Sequence, residues 1–283
     1  MPGERLRPYI STFYLTEVKT DGDERIADWL HPEWANIRYS CGTMPFGSIG
    51  SNPEIQAPRI AVVGPTSYAT QFESGTMKAW GVGLLPMGWS KFAGASAEQY
   101  ADRTTDGEED AHFEKFRPLY SALFENRHDG PESEADRIDR FFTALLDGSH
   151  DDDQLIQKAH NLLIDPDLQT VQEMAERLNV TGRTLDRLSR KAFGFPPKLL
   201  LRRQRFLRTL AENMLNPSQN WVSTLDSNYY DQAHFGRDFQ RFMGMSATEY
   251  KAKSHPFMNA AVHGRMAAAG AGMQVLHDPK VGD

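Results

Sequence analysis

The feature that most restricts how this chain can fold is a repeat at a fixed offset of 50 residues. LDRLSRKAFGFPP starts at Leu185 and FGRDFQRFMGMSA at Phe235, so Leu185 aligns with Phe235, Arg187 with Arg237 and Gly194 with Gly244. In each copy an apolar side chain recurs at helical spacing, an Arg falls on the opposite face, and a Gly stands where a helix can end in the left-handed conformation. One short helix occurring twice, with the same inside and the same outside, points to two copies of a single supersecondary unit.

The first copy can be built from its residues. Val171, Met174, Ala175 and Leu178 sit at i, i+3, i+4 and i+7 and make one apolar stripe on a helix of two to three turns. Asn179-Val180 breaks the pattern, and Thr181 is a suitable N-cap for a second helix because its hydroxyl can accept from a free backbone N–H. Leu185, Leu188 and Ala192 form that helix's inward stripe, and Gly194 ends it. Helix, short turn and second helix with exposed Arg is the helix-turn-helix arrangement that enters a DNA major groove. Arg183, Arg187 and Arg190 fall at i, i+4 and i+7 on the outer face, beside Asp186. Arg can donate two hydrogen bonds to guanine, and Asp can accept from a cytosine amino group or orient a neighbouring Arg.

In the second copy Phe235, Phe239 and Phe242 take the inward positions, Asp231 is a plausible N-cap, and Gln232, Ala233, His234 and Arg237 occupy the first turns. Between the copies runs PKLLLRRQRFLRTLAENML, with Pro197 suited to a first helical position. About 16 residues of helix span roughly 24 Å. Such a rod can hold two recognition helices about one DNA turn, roughly 34 Å, apart.

Charge is distributed to match. The net charge is −7, but residues 1–154 carry 14 basic against 26 acidic residues, residues 155–254 carry 15 against 10, and residues 171–208 carry 10 against 3. A basic segment within an acidic protein is expected when one domain meets a polyanion and the other does not.

Residues 9–92 are punctuated by Gly and Pro and alternate in short apolar runs such as ISTFYLTEV and KAWGVGLL, the pattern of a β-sandwich or barrel. Helical spacing takes over from about 96 to 146, in FEKFRPLYSALF and ADRIDRFFTALL. These patterns divide the chain into a β-rich sensor or oligomerisation domain with closing helices (1–146), a polar linker DGSHDDDQ (147–154), a helical domain (155–254) and a tail (255–283) with a helix near 257–269. The sequence assigns the tail no role.

VQEMAERLNVTGRTLDRLSRKAFGFPP and YYDQAHFGRDFQRFMGMSATEY resemble the DNA-binding domain of AraC/XylS-type transcriptional regulators, over about residues 160–252. The resemblance implies an α+β two-domain fold. It comprises an N-terminal cupin-like β-barrel or sandwich with trailing helices and a C-terminal all-α domain of two helix-turn-helix units joined by a long helix. It implies base reading by Arg183, Asp186 and Arg187 in the first helix and by Gln232, His234 and Arg237 in the second. Phosphate contacts are expected from Thr181, Arg190, Lys191, Arg202 and Arg241. The family commonly has Ile-Ala in the first helix of the second unit, Gly before the aromatic of the turn, and Pro after the second Gly motif. Here stand VSTLDS, Asn228 and Ala247. Expected partners are double-stranded DNA, a small organic effector, RNA polymerase if the protein activates, and a second copy in a homodimer.

Trp29, Trp34, Tyr39, Trp80 and Trp89 are candidates to line an effector pocket. The competing reading is a cupin-type metal-dependent enzyme or ligand-binding protein with an accessory helical domain. Against it, the nine His, among them His31, His112 and His128, show no HxH or HExxH spacing. GVGLLP at 81–86 begins like a dinucleotide loop but has Pro86 where the third Gly should stand. No catalytic residue, metal or cofactor is expected. A single cysteine, Cys41, no apolar h-region behind MPGERLRPY and no run of about 20 apolar residues lead to the expectation of a cytoplasmic protein without membrane contact.

Overall fold

The computed structural model describes residues 1–125, 130–146, 152–221 and 223–278. Residues 147–151 of the expected linker, His128 and the last five residues of the tail lie outside them. Among the described residues, nine strands form the N-terminal half: β1 (Ile10–Val18), β2 (Ile26–Leu30), β3 (Asn36–Gly42), β4 (Phe46–Ile49), β5 (Ile55–Gln56), β6 (Ile60–Val63), β7 (Thr70–Ser74), β8 (Met77–Leu84) and β9 (Thr104–Asp106). They make two antiparallel sheets, ordered β1-β8-β3-β6-β9 and β2-β7-β4-β5. This is a cupin-like sandwich rather than a closed barrel.

Helices follow: α1 (Pro86–Gly88), continued by a π turn over Trp89–Ala93, α2 (Ala97–Tyr100), α3 (Arg117–Phe124) and α4 (Pro131–Ala144). Successive residues of a strand face opposite ways. On β3, Ile37 and Tyr39 therefore join Trp80 and Val82 of β8 in a core that also holds Trp89, Phe92, Phe116, Ile138 and Phe142. Arg38 and Ser40 of β3, with Met77, Ala79 and Gly81 of β8, face the other way, into the space between the sheets.

The second half contains α5 (Asp153–Ile164), α6 (Val171–Leu178), α7 (Gly182–Phe193), α8 (Pro197–Leu215), α9 (Gln232–Met243), α10 (Ala247–Lys251) and α11 (Pro256–Ala269). The 50-residue offset holds at every boundary of the repeat: α7 and α9 both have 12 residues, their N-caps are Thr181 and Asp231, and both end on left-handed glycines, Gly194 (φ 82°) and Gly244 (φ 73°). The elements that follow them start at Pro197 and Ala247.

The repeat is incomplete upstream of α9. Where α6 precedes α7, the described residues between 216 and 231 form turns. Short polar side chains compete for the backbone there. Asn220 accepts from the Ser223 N–H (2.9 Å), the Ser223 hydroxyl donates to the Asn220 carbonyl (2.9 Å), and Asp226 accepts from the Asn228 N–H (2.9 Å). A regular first helix in the second unit, expected from the resemblance, is thus replaced by a chain of local turns.

The two halves share one core. Trp34, Ala69, Leu85 and Met87 of the β domain belong to the same buried cluster as Met174, Leu185, Phe193, Phe206 and Phe239. Arg203 of α8 is fully buried in this junction, its guanidinium 4.0 Å from the centre of the Trp34 ring and donating to the Thr66 carbonyl at 2.8 Å. The N–H of Ala69 donates to the carbonyl of Phe242 at the end of α9 (2.6 Å).

Candidate nucleic-acid interface

Caps fix where each helix of the repeat starts. The Thr170 hydroxyl accepts from the Glu173 N–H to open α6, Asn179 turns the chain in the left-handed region (φ 55°), and the Thr181 hydroxyl accepts from the Thr184 N–H (3.2 Å) to open α7. The Asp231 carboxylate does the same for α9, accepting from the His234 N–H at 2.6 Å. Each such cap contributes about 1 kcal/mol. With the inward stripes buried, Arg183 and Arg187 on α7 and Gln232 and Arg237 on α9 are left exposed.

The remaining members of the expected base-reading set are engaged. Asp186 accepts from Arg190 Nε one turn on (2.8 Å). His234 is half-buried, its Nε2 3.2 Å from Arg205 and its ring edge-on to Tyr229. His234 therefore braces α9 against α8 and does not stand free as Gln232 and Arg237 do.

The expected phosphate set is also held within the chain. Thr181 is the α7 cap, Arg190 reaches Glu98 of the β domain (2.6 Å), and Lys191 reaches Asp152 (2.8 Å). These exposed pairs are worth about 0–1 kcal/mol each, so a phosphate can displace the carboxylate at little cost. Arg241 instead lies over Tyr68 of the β domain, 5.4 Å from the ring centre. Arg202 donates to Asp238, which is fully buried, and gives up a buried acid's partner if it leaves.

Asp238 is the organising group that the sequence reading missed. It accepts from Arg202 (3.2 Å), Arg205 (3.4 Å) and the Tyr229 hydroxyl (3.1 Å), tying α8, α9 and the turn before α9 together. Nothing local marks it, since it sits between exposed Arg237 and buried Phe239. Arg203 did carry a signal: it falls three residues after Leu200 and three before Phe206, on the apolar stripe of α8.

A cavity of about 1120 Å³ lies between the two sheets and is walled on one side by α11. The five aromatics expected around a pocket do not line it. Tyr39, Trp80 and Trp89 are in the core on the far face of the five-stranded sheet, as strand alternation requires. Trp34 is in the interdomain core, and Trp29 packs edge-on to His255 and under Lys253. The cavity is walled instead by residues such as Tyr14, Arg38, Phe72, Met77, Phe257 and Arg265.

The tail is latched over this cavity. Asp28, fully buried on β2, accepts from the backbone N–H groups of Phe257 and Met258 (both 2.9 Å) and so caps α11 from 229 residues away. It also accepts from His255 Nδ1 (3.0 Å), while His255 Nε2 lies 2.8 Å from the Tyr250 carbonyl. Both partners are acceptors, so the ring is satisfied only as imidazolium. Burial alone would lower its pKa; the bonds to Asp28 and to the Tyr250 carbonyl outweigh that and raise it above the usual imidazole value. Lys253, beside it, opposes the charge.

A group whose folded pKa is raised stabilises fully below its unfolded pKa, about 6.5. That contribution is lost as pH rises through the folded value. Amide protection factors over 256–269, corrected for intrinsic exchange, are expected to fall on alkalinisation through this range in the native chain and to stay flat in His255→Ala. Equal pH dependence in both would contradict the latch.

Among the described residues no three His, Cys, Asp or Glu form a group able to hold a metal ion. Among them, too, no helix is long and apolar enough to cross a membrane.

Residues 174–253 match a family model described as a helix-turn-helix domain. No curated protein matches the chain in sequence. Among solved structures it is similar to ToxT from Vibrio cholerae at 11% identity, covering 85% of this chain and 98% of that one, with a TM-score of 0.47. It is similar to ToxT from Vibrio cholerae O395 bound to (E)-4-(8-methylnaphthalen-1-yl)but-3-enoic acid (11%, 85% and 98%, TM-score 0.46). It is also similar to wild-type ToxT from strain SCE256 with unsaturated fatty acid bound (10%, 86% and 95%, TM-score 0.43). Likenesses this distant carry no functional argument.

Proposed function

We propose that this chain, whose residues 174–253 are a helix-turn-helix domain, is a sequence-specific DNA-binding transcriptional regulator of the AraC/XylS type. The observation that carries this reading is the 50-residue repeat in three dimensions. Two 12-residue helices capped at matching positions expose Arg187 and Arg237 at an offset of 50, and the 19-residue α8 joins their units. At 1.5 Å per residue α8 is roughly 28 Å long, suited to serving successive major grooves.

On this reading Arg183, Arg187, Gln232 and Arg237 compare base edges, with Asp186 orienting Arg190 and its neighbours. Thr181, Arg190 and Lys191 serve phosphates once Glu98 and Asp152 are displaced, releasing counterions from the duplex. The cavity of the β domain is the effector site, because it is roomy, mostly apolar and walled by a segment that also touches α8. RNA polymerase is a further partner where the protein activates, and a homodimer would set two such readers on one operator.

Arg187→Ala is expected to cost about 1–3 kcal/mol at a cognate site and to relax preference at one base position. Binding titrations on cognate and scrambled duplexes check this. Equal losses on both would reassign Arg187 to the phosphate backbone.

A further inference from the structure

We infer that the cavity between the sheets is a composite site for an organic anion with an apolar body, in which Arg265 of the tail anchors the anionic group. The inference rests on the reading of the cavity as an effector site and names the ligand chemistry and the residue that selects it.

The volume comes first. Protein interiors pack with few voids larger than a water molecule, whereas about 1120 Å³ is the size of a pocket for a ligand of some tens of atoms. Much of its lining is apolar or small, with Phe72, Met77 and Ala79 from the sheets and Phe257 and Ala261 from α11, while Glu17, Lys19, Asp102 and Arg103 add charge. On α11 the residues facing the cavity include Ala260, Ala261, Gly264 and Ala268, so the helix walls the space on one side without filling it.

Charge comes second. Arg38, deep in the cavity wall, is already matched: it forms a short ion pair with Glu33, and its Nε donates to the Tyr14 hydroxyl (3.1 Å). That hydroxyl in turn donates to Asn36 (3.1 Å). Arg265 is different. Its guanidinium lies 5.6 Å from the centre of the Tyr14 ring, half-buried, and no carboxylate of the described residues pairs with it. A planar cation with unused donors beside an apolar chamber is complementary to a carboxylate, sulfonate or similar headgroup. His31, another wall residue, adds a polar group awaiting a partner: its Nε2 lies 2.7 Å from the Tyr250 hydroxyl, and its buried Nδ1 has no hydrogen-bond partner.

The anchor also sits where occupancy can be felt. The segment carrying Arg265 is capped by Asp28 at one end. At the other, the Gln274 amide donates to the carbonyls of Ala35 (3.2 Å) and Leu84 (3.3 Å) in the β domain. Gln204 of α8 donates to the Val275 carbonyl (2.7 Å). A ligand that pulls on Arg265 therefore loads a strap fixed to both domains.

Two dyes that share an aromatic body and differ in charge test this on the full chain: 8-anilinonaphthalene-1-sulfonate and neutral N-phenyl-1-naphthylamine, followed by fluorescence. Both are expected to bind saturably, and Ala79→Phe, which fills the cavity, to weaken both. Arg265→Gln is expected to weaken the sulfonate at least tenfold and leave the neutral dye within twofold, with Arg265→Lys recovering most of the loss. Parallel weakening of the two dyes by Arg265→Gln, an unchanged sulfonate affinity, or indifference of both to Ala79→Phe overturns the assignment. Neither readout involves DNA, so failure here leaves the helix-turn-helix reading standing, and failure of DNA binding leaves this one testable.

Discussion

Asp238→Ala is expected to destabilise the protein by about 3–5 kcal/mol, the cost of removing one partner from a buried charged network. Asp238 is the acceptor that Arg202, Arg205 and the Tyr229 hydroxyl share. Deleting it strips two guanidinium groups and a phenol of their shared acceptor in the seam between α8 and α9. Among the described residues of 216–231 no regular helix holds the turns, so Tyr229 and the bonds around it are what position α9. The loss should therefore be concentrated in the second unit: denaturant unfolding shows the drop in stability, and DNA contacts governed by Arg237 weaken while those governed by Arg187 persist. Asp238→Asn, which keeps the shape and removes the charge, should fall between. Wild-type stability in Asp238→Ala would show that the network is not what sets α9.

Asp28→Ala is the second large effect, about 3 kcal/mol or more at the site itself. It removes at once the acceptor of His255 Nδ1 and of the backbone N–H groups of Trp29, Phe257 and Met258, in a setting where burial makes an unmade hydrogen bond costly. The global consequence has a ceiling. Once the local cost exceeds the free energy with which the tail docks, the tail leaves, and the remaining domains lose only that docking energy. Hydrogen exchange should thus report near-complete loss of protection over 256–277, with the sandwich strands and α6–α7 little changed. Retained protection in the tail would mean that Gln274 and the apolar contacts of Phe257 and Met258 suffice without the cap.

The parts of this fold legible in the sequence are those where a local signal and its tertiary use coincide. Thr181, Asp231, Gly194 and Gly244 mark helix ends by their own backbone chemistry, and the stripes Leu185–Leu188–Ala192 and Phe235–Phe239–Phe242 are buried as their spacing requires. Legibility failed where the partner is far away in the chain. Strand alternation separates Tyr39 from Arg38, yet a single sequence does not say which face meets helices and which meets a cavity, so large aromatics suit either place equally. A run of arginines at 202–208 does not reveal that Arg203 goes inside while Arg202 and Arg205 share Asp238. The tail gave a helix but no purpose, because its purpose is set by Asp28 and Tyr14, more than 200 residues earlier.

Selection of binding sites from a random duplex library by the full-length chain tests the central claim most directly. The account predicts two half-sites with centres about 10–10.5 base pairs apart, affinity that falls steeply with added salt, and loss of base preference in one half-site for Arg187→Ala and in the other for Arg237→Ala. A single half-site indifferent to both substitutions, or no duplex preferred over random DNA, would contradict it.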